Sequence, residues 1–490
     1  MRYETPLIIG FEGRVLDKSL KRHLLEIRPA GVALFKRNIA SLRQTRRLIC
    51  AIKDLLGDPI VAIDFEGGLV SRFPPDTPVP PSAFALGRLT NPELIEASCR
   101  IQAELLASLG INLNFAPVLD IFASFESGAI GTRAFSSDPQ KVAEFGEACI
   151  AQFAQYGVGT SAKHFPGQGR TAIDTHFSQG TVSYRLDELE RTDLYPFRRA
   201  IAADVPAIMV SHVQYSSLDG MYPASMSSRI VEGLLRSGIG YRRLAIADCV
   251  EMAGLSAVYT PEEIVTMGLQ AGIDLWISSY SLNKSYAYHV RLKRAYEKAV
   301  RSNRECAEKA RRSQTRIRKF IEKFRVKPTP FRYEESFAKM KSIHRVSLQK
   351  FRQAPIPRSR EFALIELSNS ERSGIKAGEE ENIVCNILRQ QCSFIAAGMR
   401  VLKNDMQAVQ AAFAKARERR WTPVVLTANA FRQKQYNELA EFFKTLDDTI
   451  HIALLDRRDL CGVAANEWAT WGYNGMTGFA LAEELEAHMQ

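Results

Sequence analysis

The first 280 residues repeat one unit, a short apolar run followed by a segment with helical periodicity. The eight apolar runs are predicted strands near Leu7–Gly10, Gly31–Leu34, Ile60–Ile63, Ile111–Phe115, Gly157–Ala162, Ala207–Val210, Leu244–Ala247 and Ile273–Ile277. The predicted helices between them include Asn91–Leu109, Pro139–Tyr156 and Pro261–Ala271. Because such alternation is typical of parallel sheets and eight strands can close on themselves, we predict an α/β fold with a TIM-like (β/α)8 barrel. An open, doubly wound sheet is the alternative.

A barrel of this kind should carry its functional groups just after the carboxyl ends of its strands. Polar residues do follow predicted strands three to seven, and they are Asp64, Glu66, Arg72, Asn114, Asp120, Arg133, Lys163, His164, His212 and Asp248. One such group could be accidental, but several at successive strand ends are expected to converge on one barrel mouth.

The loop after the fifth predicted strand concentrates groups that bind or transfer protons. Pro166, Gly167 and Gly169 exclude a helix there. Asp174 and His176 are two residues apart, so an extended backbone turns both side chains to one side. A carboxylate beside an imidazole fixes its tautomer and raises its basicity, which suits acid/base catalysis near neutral pH. Because an isolated Asp-x-His is more often a surface pair, this interpretation depends on the rest of the chain.

Other ligand chemistries fit this loop poorly. Its spacing matches neither of the glycine-rich motifs that bind phosphate or dinucleotides. The cysteines are scattered, and no histidine pair has a metal-ligand spacing such as i, i+4. We therefore expect no metal and no cofactor.

Composition limits the class of protein. A chain of 490 residues should form two or three domains, and 46% hydrophobic with 24% charged residues is typical of a globular protein. No apolar run approaches the roughly 20 residues that a membrane helix needs, and the first residues lack the apolar core of a signal peptide. The eight scattered cysteines indicate reduced thiols and a cytoplasmic location.

The net charge of +11 has a local origin, since residues 291–327 contain fifteen Lys/Arg against four Asp/Glu. Apolar residues recur there at near-helical spacing, which predicts amphipathic helices that pack an apolar stripe and leave a basic face in solvent. A nucleic-acid-binding arm is the alternative. It is disfavoured because no aromatic residues alternate with the charges.

Five motifs give the chain a specific resemblance. They are AIDFEGG at residues 62–68, IGTRAF at 130–135, KHFPG at 163–167, DTH at 174–176 and ADCVEM at 247–252. In these motifs and their order the chain resembles glycoside hydrolase family 3, and within it the bacterial β-N-acetylglucosaminidases. The resemblance covers the predicted barrel well and the remainder in outline.

The resemblance implies roles for individual residues. Asp248 matches the family's nucleophile, His176 its acid/base residue, and Asp174 the carboxylate that orients the imidazole. The positions that match sugar-binding residues are Asp64, Arg72, Arg133, Lys163 and His164. These roles suit double displacement, in which a carboxylate attacks the anomeric carbon and a second group protonates the leaving oxygen. The Asp-x-His loop points to N-acetylated sugars, because related β-glucosidases take their acid/base carboxylate from elsewhere.

Four positions depart from the family's usual residues, namely Leu69, Gln168, Arg170 and Cys249. None of them removes a catalytic group, but they leave the fine substrate preference open. A degenerate, sugar-binding pseudoenzyme is a minor alternative.

The chain after Ser336 alternates strand-like and helical runs and looks like the smaller second domain of longer family members. The predicted strands and helices there are Phe362–Leu367, Phe394–Ala397, Asp405–Glu418, Pro423–Thr427, Gln433–Leu446 and Ile450–Leu455. We predict a barrel over residues 1–290, a basic helical segment and linker over 291–335, and an α/β sandwich over 336–490. The last is expected to pack against the barrel, or secondarily to shape the substrate cleft.

The expected function is that of a retaining, exo-acting β-N-acetylglucosaminidase whose partner is a small saccharide, from peptidoglycan turnover or chitin. Within enzymes, a β-glucosidase and a phosphorylase of the same family are alternatives. Outside enzymes they are the pseudoenzyme and a nucleic-acid-binding protein. We expect no nucleic acid and no membrane span. The sequence leaves the aglycone and the oligomeric state open.

Overall fold

A computed structural model describes residues 4–123, 130–171, 180–280, 286–326, 329–353, 361–368, 383–402, 406–428, 436–443, 449–454, 460, 464 and 466–487. The chain divides into two compact units. The first comprises Met1–Glu66, Val70–Pro74 and Ile95–Arg332. The second comprises Gly67–Leu69, Pro75–Leu94 and Tyr333–Gln490.

In the described part of the first unit, eight parallel strands close into a barrel. They are β1 (Thr5–Ile9), β2 (Pro29–Leu34), β3 (Ile60–Ile63), β4 (Leu113–Asn114), β5 (Gly159–Phe165), β6 (Ala207–Val210), β7 (Leu244–Cys249) and β8 (Leu275–Ser278). Each strand pairs with its neighbours in sequence, and β1 pairs with both β2 and β8. The predicted TIM-like barrel is therefore confirmed, and the open sheet is ruled out.

Helices connect the barrel strands. Those longer than one turn in the described part of this unit are α1 (Lys18–Ile27), α2 (Leu42–Leu56), α3 (Pro92–Leu109), α4 (Pro139–Gln155), α5 (Leu186–Arg191), α6 (Leu194–Ala202), the π-helical segment Arg229–Gly238, α7 (Pro261–Ala271), α8 (Ala287–Ser302) and α9 (Arg304–Lys323). The ends of α7 show why its predicted limits hold. Thr260 and Glu263 form a capping box before it, and Gly272 ends it in the left-handed region at φ +101°. A three-stranded sheet of Thr181–Val182, Gln214–Tyr215 and Asp219–Pro223 lies outside the barrel sheet.

Helix α9 covers the amino ends of the barrel strands. Its Ile317 and Phe320, with Phe324 directly after it, share a buried cluster with the first residues of five strands, which are Ile60, Leu113, Ala207, Leu244 and Leu275. Helix α8 likewise buries Leu292, Ala295, Tyr296 and Ala299. Arg311, Arg312, Arg318 and Lys319 of α9 are exposed. The predicted amphipathic packing of the basic segment is thus confirmed, and α9 lies at the barrel end opposite to the mouth.

The second unit contains a six-stranded sheet among its described residues. The strands are β9 (Gln349–Gln353), β10 (Phe362–Ser368), β11 (Ile395–Leu402), β12 (Thr422–Ala428), β13 (Ile450–Ala453) and β14 (Asn466–Ala469). Their spatial order is β9-β14-β13-β12-β10-β11, with only β9 antiparallel to its neighbour. The two faces of β10 enter different apolar clusters, since Leu364 packs in one and Ile365 in the other. The predicted smaller α/β domain is confirmed.

The helices of the second unit lie before, between and after its strands. In its described part they are the single turn Ala83–Leu86, α10 (Tyr333–Ser347), α11 (Ile383–Gln391), α12 (Met406–Glu418), α13 (Tyr436–Phe443) and α14 (Gly475–Ala487). No helix among the described residues of either unit has both the length and the apolar character needed to cross a bilayer. Each cysteine that the structure describes carries a free thiol.

Candidate active site

A cation–carboxylate cluster lies at the carboxyl ends of β3 and β5. It consists of Asp64, Glu66, Arg72, Arg133 and Lys163. The Lys163 side chain is 2% exposed, and its Nζ lies 3.0 Å from Asp64 Oδ1 and 2.6 Å from Glu66 Oε1. Asp64 Oδ2 accepts a hydrogen bond from Arg72 Nη2 at 2.9 Å. The cluster joins residues that are far apart in the sequence because β3 and β5 end at the same rim of the barrel.

Electrostatics keep this cluster ionised. Burial alone would raise the pKa of the Asp64 carboxyl, but the charges of Lys163 and Arg72 outweigh burial and hold that pKa well below its usual range. Burial opposes ionisation of Glu66 as well, yet Arg133 and Lys163 lower its pKa to about 2. The pKa of Lys163 is raised, since the two carboxylates overcome the effect of burial. Three cations thus meet two carboxylates at neutral pH.

Glu66 fixes the two most buried cations of the cluster. Arg133 donates to it in a bidentate arrangement, with Nε to Oε2 and Nη2 to Oε1 both at 2.8 Å. The same carboxylate accepts from Lys163. Glu66 follows β3 in the sequence, but the motif that contains it assigns it no role. Its partner Arg133 is 67 residues away, and only the folded barrel shows the pairing.

His164 is oriented by a second carboxylate. Its Nδ1 lies 2.6 Å from Oδ2 of Asp120, a residue with no solvent exposure, and Asp120 Oδ1 accepts from the backbone N–H of Gln168 at 2.6 Å. The other ring nitrogen of His164, Nε2, lies 3.4 Å from Arg133 Nη2. Asp120 therefore sets which ring nitrogen points into the site.

Asp248 lies at an irregularity at the end of β7. The register of β7 against β8 shifts between Ala247 and Cys249, so the backbone bends at the intervening carboxylate. The backbone N–H of Cys249 donates to Asp248 Oδ1 at 2.7 Å. Burial raises the pKa of Asp248, but the imidazoles of His164 and His212 outweigh burial and leave the pKa below its ordinary value. Asp248 is thus an anion at neutral pH and a possible nucleophile.

His212 and Glu251 hold the chain that carries Asp248. His212 Nε2 donates to the Cys249 carbonyl at 3.2 Å, and its Nδ1 accepts from Ser225 Oγ at 2.8 Å. Burial lowers the pKa of His212. Glu251 Oε1 accepts from the Tyr280 backbone N–H at 2.9 Å and from Ser278 Oγ at 2.5 Å. The ends of β6, β7 and β8 are thereby linked around Asp248.

The predicted acid/base pair Asp174 and His176 lies outside the described residues. The described chain reaches Thr171 on one side and resumes at Gly180 on the other. Of the other predicted site residues, the structure brings Asp64, Arg72, Arg133, Lys163 and His164 into one connected set of contacts. Asp248 lies close enough to His164 and Lys163 for their charges to shift its pKa.

This arrangement offers two kinds of chemistry. The cation–carboxylate cluster presents ionised donors and acceptors suited to charge-assisted hydrogen bonds with hydroxyl groups. Asp248 adds a half-buried carboxylate that is held by a backbone N–H and has a lowered pKa. Binding of a polyhydroxylated ligand next to a nucleophile is the combination that glycoside cleavage requires.

The chain is similar to known proteins over its barrel and beyond it. A beta-hexosaminidase of Xanthomonas campestris pv. campestris is 37% identical over 276 residues, which cover 55% of this chain and 82% of the relative. A β-N-acetylglucosaminidase of a Paenibacillus species has a TM-score of 0.88 at 25% identity and covers 99% of this chain and 96% of its own. NagZ of Neisseria gonorrhoeae, solved with N-trifluoroacetyl-D-glucosamine, has a TM-score of 0.58 at 26% identity over 70% of this chain and 98% of its own.

The family model described as the glycosyl hydrolase family 3 N terminal domain matches residues 14–319. This range contains the whole cation–carboxylate cluster, Asp248 and all barrel strands after β1. The chain belongs to glycosyl hydrolase family 3 and is a glycoside hydrolase enzyme.

Proposed function

We propose that this enzyme is a retaining, exo-acting β-N-acetylglucosaminidase that removes terminal β-linked N-acetylglucosamine by double displacement. The observation that carries the proposal is the ionised Asp248, held at the barrel mouth beside His164 and Lys163. The names of the relatives, a beta-hexosaminidase and β-N-acetylglucosaminidases, support the same sugar class.

In the first step, Asp248 attacks the anomeric carbon and the glycosidic C–O bond breaks, which yields a glycosyl ester on the carboxylate. The Cys249 N–H stabilises the anionic carboxylate before attack, and His212 fixes the peptide that supplies this donor. Because the pKa of Asp248 is low, the carboxylate is also a competent leaving group when water attacks in the second step.

Proton transfer is assigned to His176, oriented by Asp174. The imidazole donates a proton to the departing oxygen in the first step and accepts one from water in the second. This assignment comes from the Asp-Thr-His motif at residues 174–176 and not from geometry. A histidine with a pKa near its ordinary value of roughly 6.5 can serve in both steps.

The cation–carboxylate cluster is proposed to hold the terminal sugar. Asp64 would accept from sugar hydroxyls, while Arg72, Arg133, Lys163 and His164 would donate to sugar oxygens. Lys163 and Arg133 are held by Glu66 before substrate arrives, so little side-chain freedom is lost on binding.

The natural substrates proposed are peptidoglycan fragments or chitin-derived oligosaccharides, whose terminal sugars carry the N-acetyl group. We also propose that the enzyme works in the cytoplasm, where its free thiols would stay reduced. Both proposals rest on the sequence resemblance and on the cysteine pattern.

A substrate comparison tests the activity. The purified chain should release 4-nitrophenol from the β-N-acetylglucosaminide much faster than from the β-glucoside, and added phosphate should not change the rate or the product. Proton NMR of the first product should show the β-anomer, as a retaining mechanism requires. Preference for the glucoside, a sugar 1-phosphate product or an α-anomer would each overturn a stated part of the proposal.

A further inference from the structure

Phe35 follows the last residue of β2 at the mouth of the barrel. Leu34 pairs with Ile63 of β3, so Phe35 and Asp64 are the next residues of two neighbouring parallel strands. Both residues therefore lie at the same rim. Phe35 is half-buried and packs against the apolar cluster of the barrel strands. Its ring thus stands beside the cation–carboxylate cluster.

The turn after β2 and a glycine of the neighbouring strand fix the place of this ring. The Phe35 N–H donates to Asn38 Oδ1 at 2.9 Å, and the Asn38 N–H donates to the Phe35 carbonyl at 2.8 Å. Asn38 also donates to the carbonyls of Phe11 and Gly13, at 3.0 and 2.8 Å. A Cβ on Gly10, directly after β1, would lie 2.9 Å from Phe35 Cε2, so the ring occupies space that a side chain at Gly10 would take.

Two guanidinium groups lie over the Phe35 ring. The distance from Cζ to the ring centroid is 5.7 Å for Arg72 and 4.6 Å for Arg37. At both distances a cation is attracted by the negative face of an aromatic ring. Arg37 is also held by the backbone, since its Nε donates to the Phe11 carbonyl at 2.8 Å and its Nη2 to the Ser279 carbonyl. Arg37 therefore keeps its place without the ring.

Arg72 is the least restrained cation of the cluster. Within the described residues its one hydrogen-bond partner is Asp64, which accepts from Nη2 at 2.9 Å, and its buried Nε has none. Arg133, by contrast, donates two hydrogen bonds to Glu66. A single hydrogen bond leaves a long arginine side chain much of its rotamer freedom. The Phe35 ring is the second contact that restricts the Arg72 guanidinium.

We propose that Phe35 is a positioning residue for Arg72, and that its ring holds the guanidinium beside Asp64 with the remaining donors available to the terminal sugar. The proposal rests on the proposed function, in which Arg72 donates to sugar oxygens. Because the ring and Asp64 restrict the guanidinium before substrate arrives, less side-chain freedom is lost on binding. Phe35 acts on binding through Arg72 and not by touching the sugar.

Fluorinated rings test this role with little change of shape. Phenylalanines with one, two or three ring fluorines at position 35 have progressively less electron density on the ring face. KM for the 2,4-dinitrophenyl N-acetylglucosaminide should rise with each fluorine, to about three- to tenfold for the trifluoro ring, while kcat changes less than about twofold. A KM that does not depend on the number of fluorines, or a loss confined to kcat, would overturn the proposal.

The same series in an Arg72→Gln background separates positioning from direct contact. Glutamine gives the ring no cation to hold, so KM should no longer depend on the fluorines. A dependence that persists would show that the ring acts on the sugar or through Arg37, and would overturn the positioning role.

A second phenylalanine of the same apolar cluster provides the matched control. Phe324 belongs to this cluster at the opposite end of the barrel. Phe35→Leu should raise KM as the trifluoro ring does, whereas Phe324→Leu should lower stability and leave KM unchanged. An equal rise of KM in both leucine variants would mean that loss of core packing explains the effect, and would contradict the proposal.

A measurement without substrate tests the contact itself. Phe35→Leu, Arg72→Gln and the double variant are compared with wild type by urea denaturation. The double variant should lose less stability than the two single losses together, because either change alone already removes the contact. Additive losses would contradict the proposal whatever the activity of the enzyme. A wild-type enzyme without activity on the N-acetylglucosaminide would instead overturn the proposed function, while non-additive losses would still support the contact.

Discussion

Asp248 shows how much of this site depends on neighbours that are distant in the sequence. The motif at residues 247–252 singles out the carboxylate, but its low pKa depends on His164, which is 84 positions earlier, and on His212. Glu66 has the same character, since its partners Arg133 and Lys163 belong to other loops. Such residues can be predicted from the sequence when they belong to a motif at the end of a strand. Their ion-pair and hydrogen-bond partners cannot be predicted in this way.

The pH profile of Asp248 follows from this pairing. A carboxyl whose pKa is lowered stays ionised as the pH falls below its ordinary value, so the acid limb of kcat/KM in wild type should lie below the ordinary aspartate pKa of 3.8. Replacing His164 by Gln removes the largest favourable charge and should move this limb to higher pH, beyond any loss of absolute rate. Rates measured from pH 3 to 8 would check this. An acid limb at the same pH in both proteins would show that His164 does not set the ionisation of Asp248.

Glu66 should contribute to stability in a defined pH window. Because its pKa is lowered to about 2 from 4.5, its contribution is present above about pH 4.5 and is lost as the pH falls toward 2. Glu66→Gln leaves Lys163 buried with less compensation and should reduce the free energy of unfolding at pH 7 by about 3 kcal/mol. Urea denaturation should show the difference from wild type shrinking below pH 4.5. As a control, Glu262→Gln removes only an exposed pair with Arg291 and should cost less than about 1 kcal/mol.

At the scale of elements, the apolar pattern predicts the barrel because its strands are buried on both faces. Ile60–Ile63 and Ala207–Val210 have the predicted limits, and Gly157–Ala162 differs from β5 because the strand continues through the polar Lys163 and His164. In the second unit, the apolar pattern does not predict β9 and β14. The sequence of β9 is QKFRQ, at the sheet edge, and β14 is NEWA, so neither contains an apolar run.

Helix α9 gives a direct test of the amphipathic interpretation. Ile317 is fully buried among the amino ends of the strands, so Ile317→Asp should lower the free energy of unfolding by more than about 3 kcal/mol through a buried charge without a partner. Arg311→Glu/Arg312→Glu changes two exposed residues of the same helix and should alter neither stability nor activity. Chemical denaturation and the nitrophenol assay compare the two. Loss of activity in the charge-reversal variant would mean that the basic face has a function.

At the scale of the whole molecule, the sequence indicates two domains but not how the chain is shared between them. Gly67–Leu69 and Pro75–Leu94 follow β3 in the sequence yet belong to the unit whose remaining residues are Tyr333–Gln490. The sequence does not reveal this assignment, because more than 200 residues separate Pro75–Leu94 from Tyr333. The segment also lacks a periodic apolar pattern that would identify it as part of the second unit. The catalytic groups described above all belong to the first unit, so the proposed chemistry resides in the barrel.

The most direct test of this mechanism is to trap the covalent intermediate. A 5-fluoro glycosyl fluoride of N-acetylglucosamine forms the glycosyl–enzyme faster than water removes it, and peptide mass spectrometry then locates the ester. We predict one added sugar on the peptide that contains Asp248, and no label in Asp248→Ala with its fold intact. A label on Asp64 or Asp174, or no covalent adduct in an active wild-type enzyme, would contradict the mechanism.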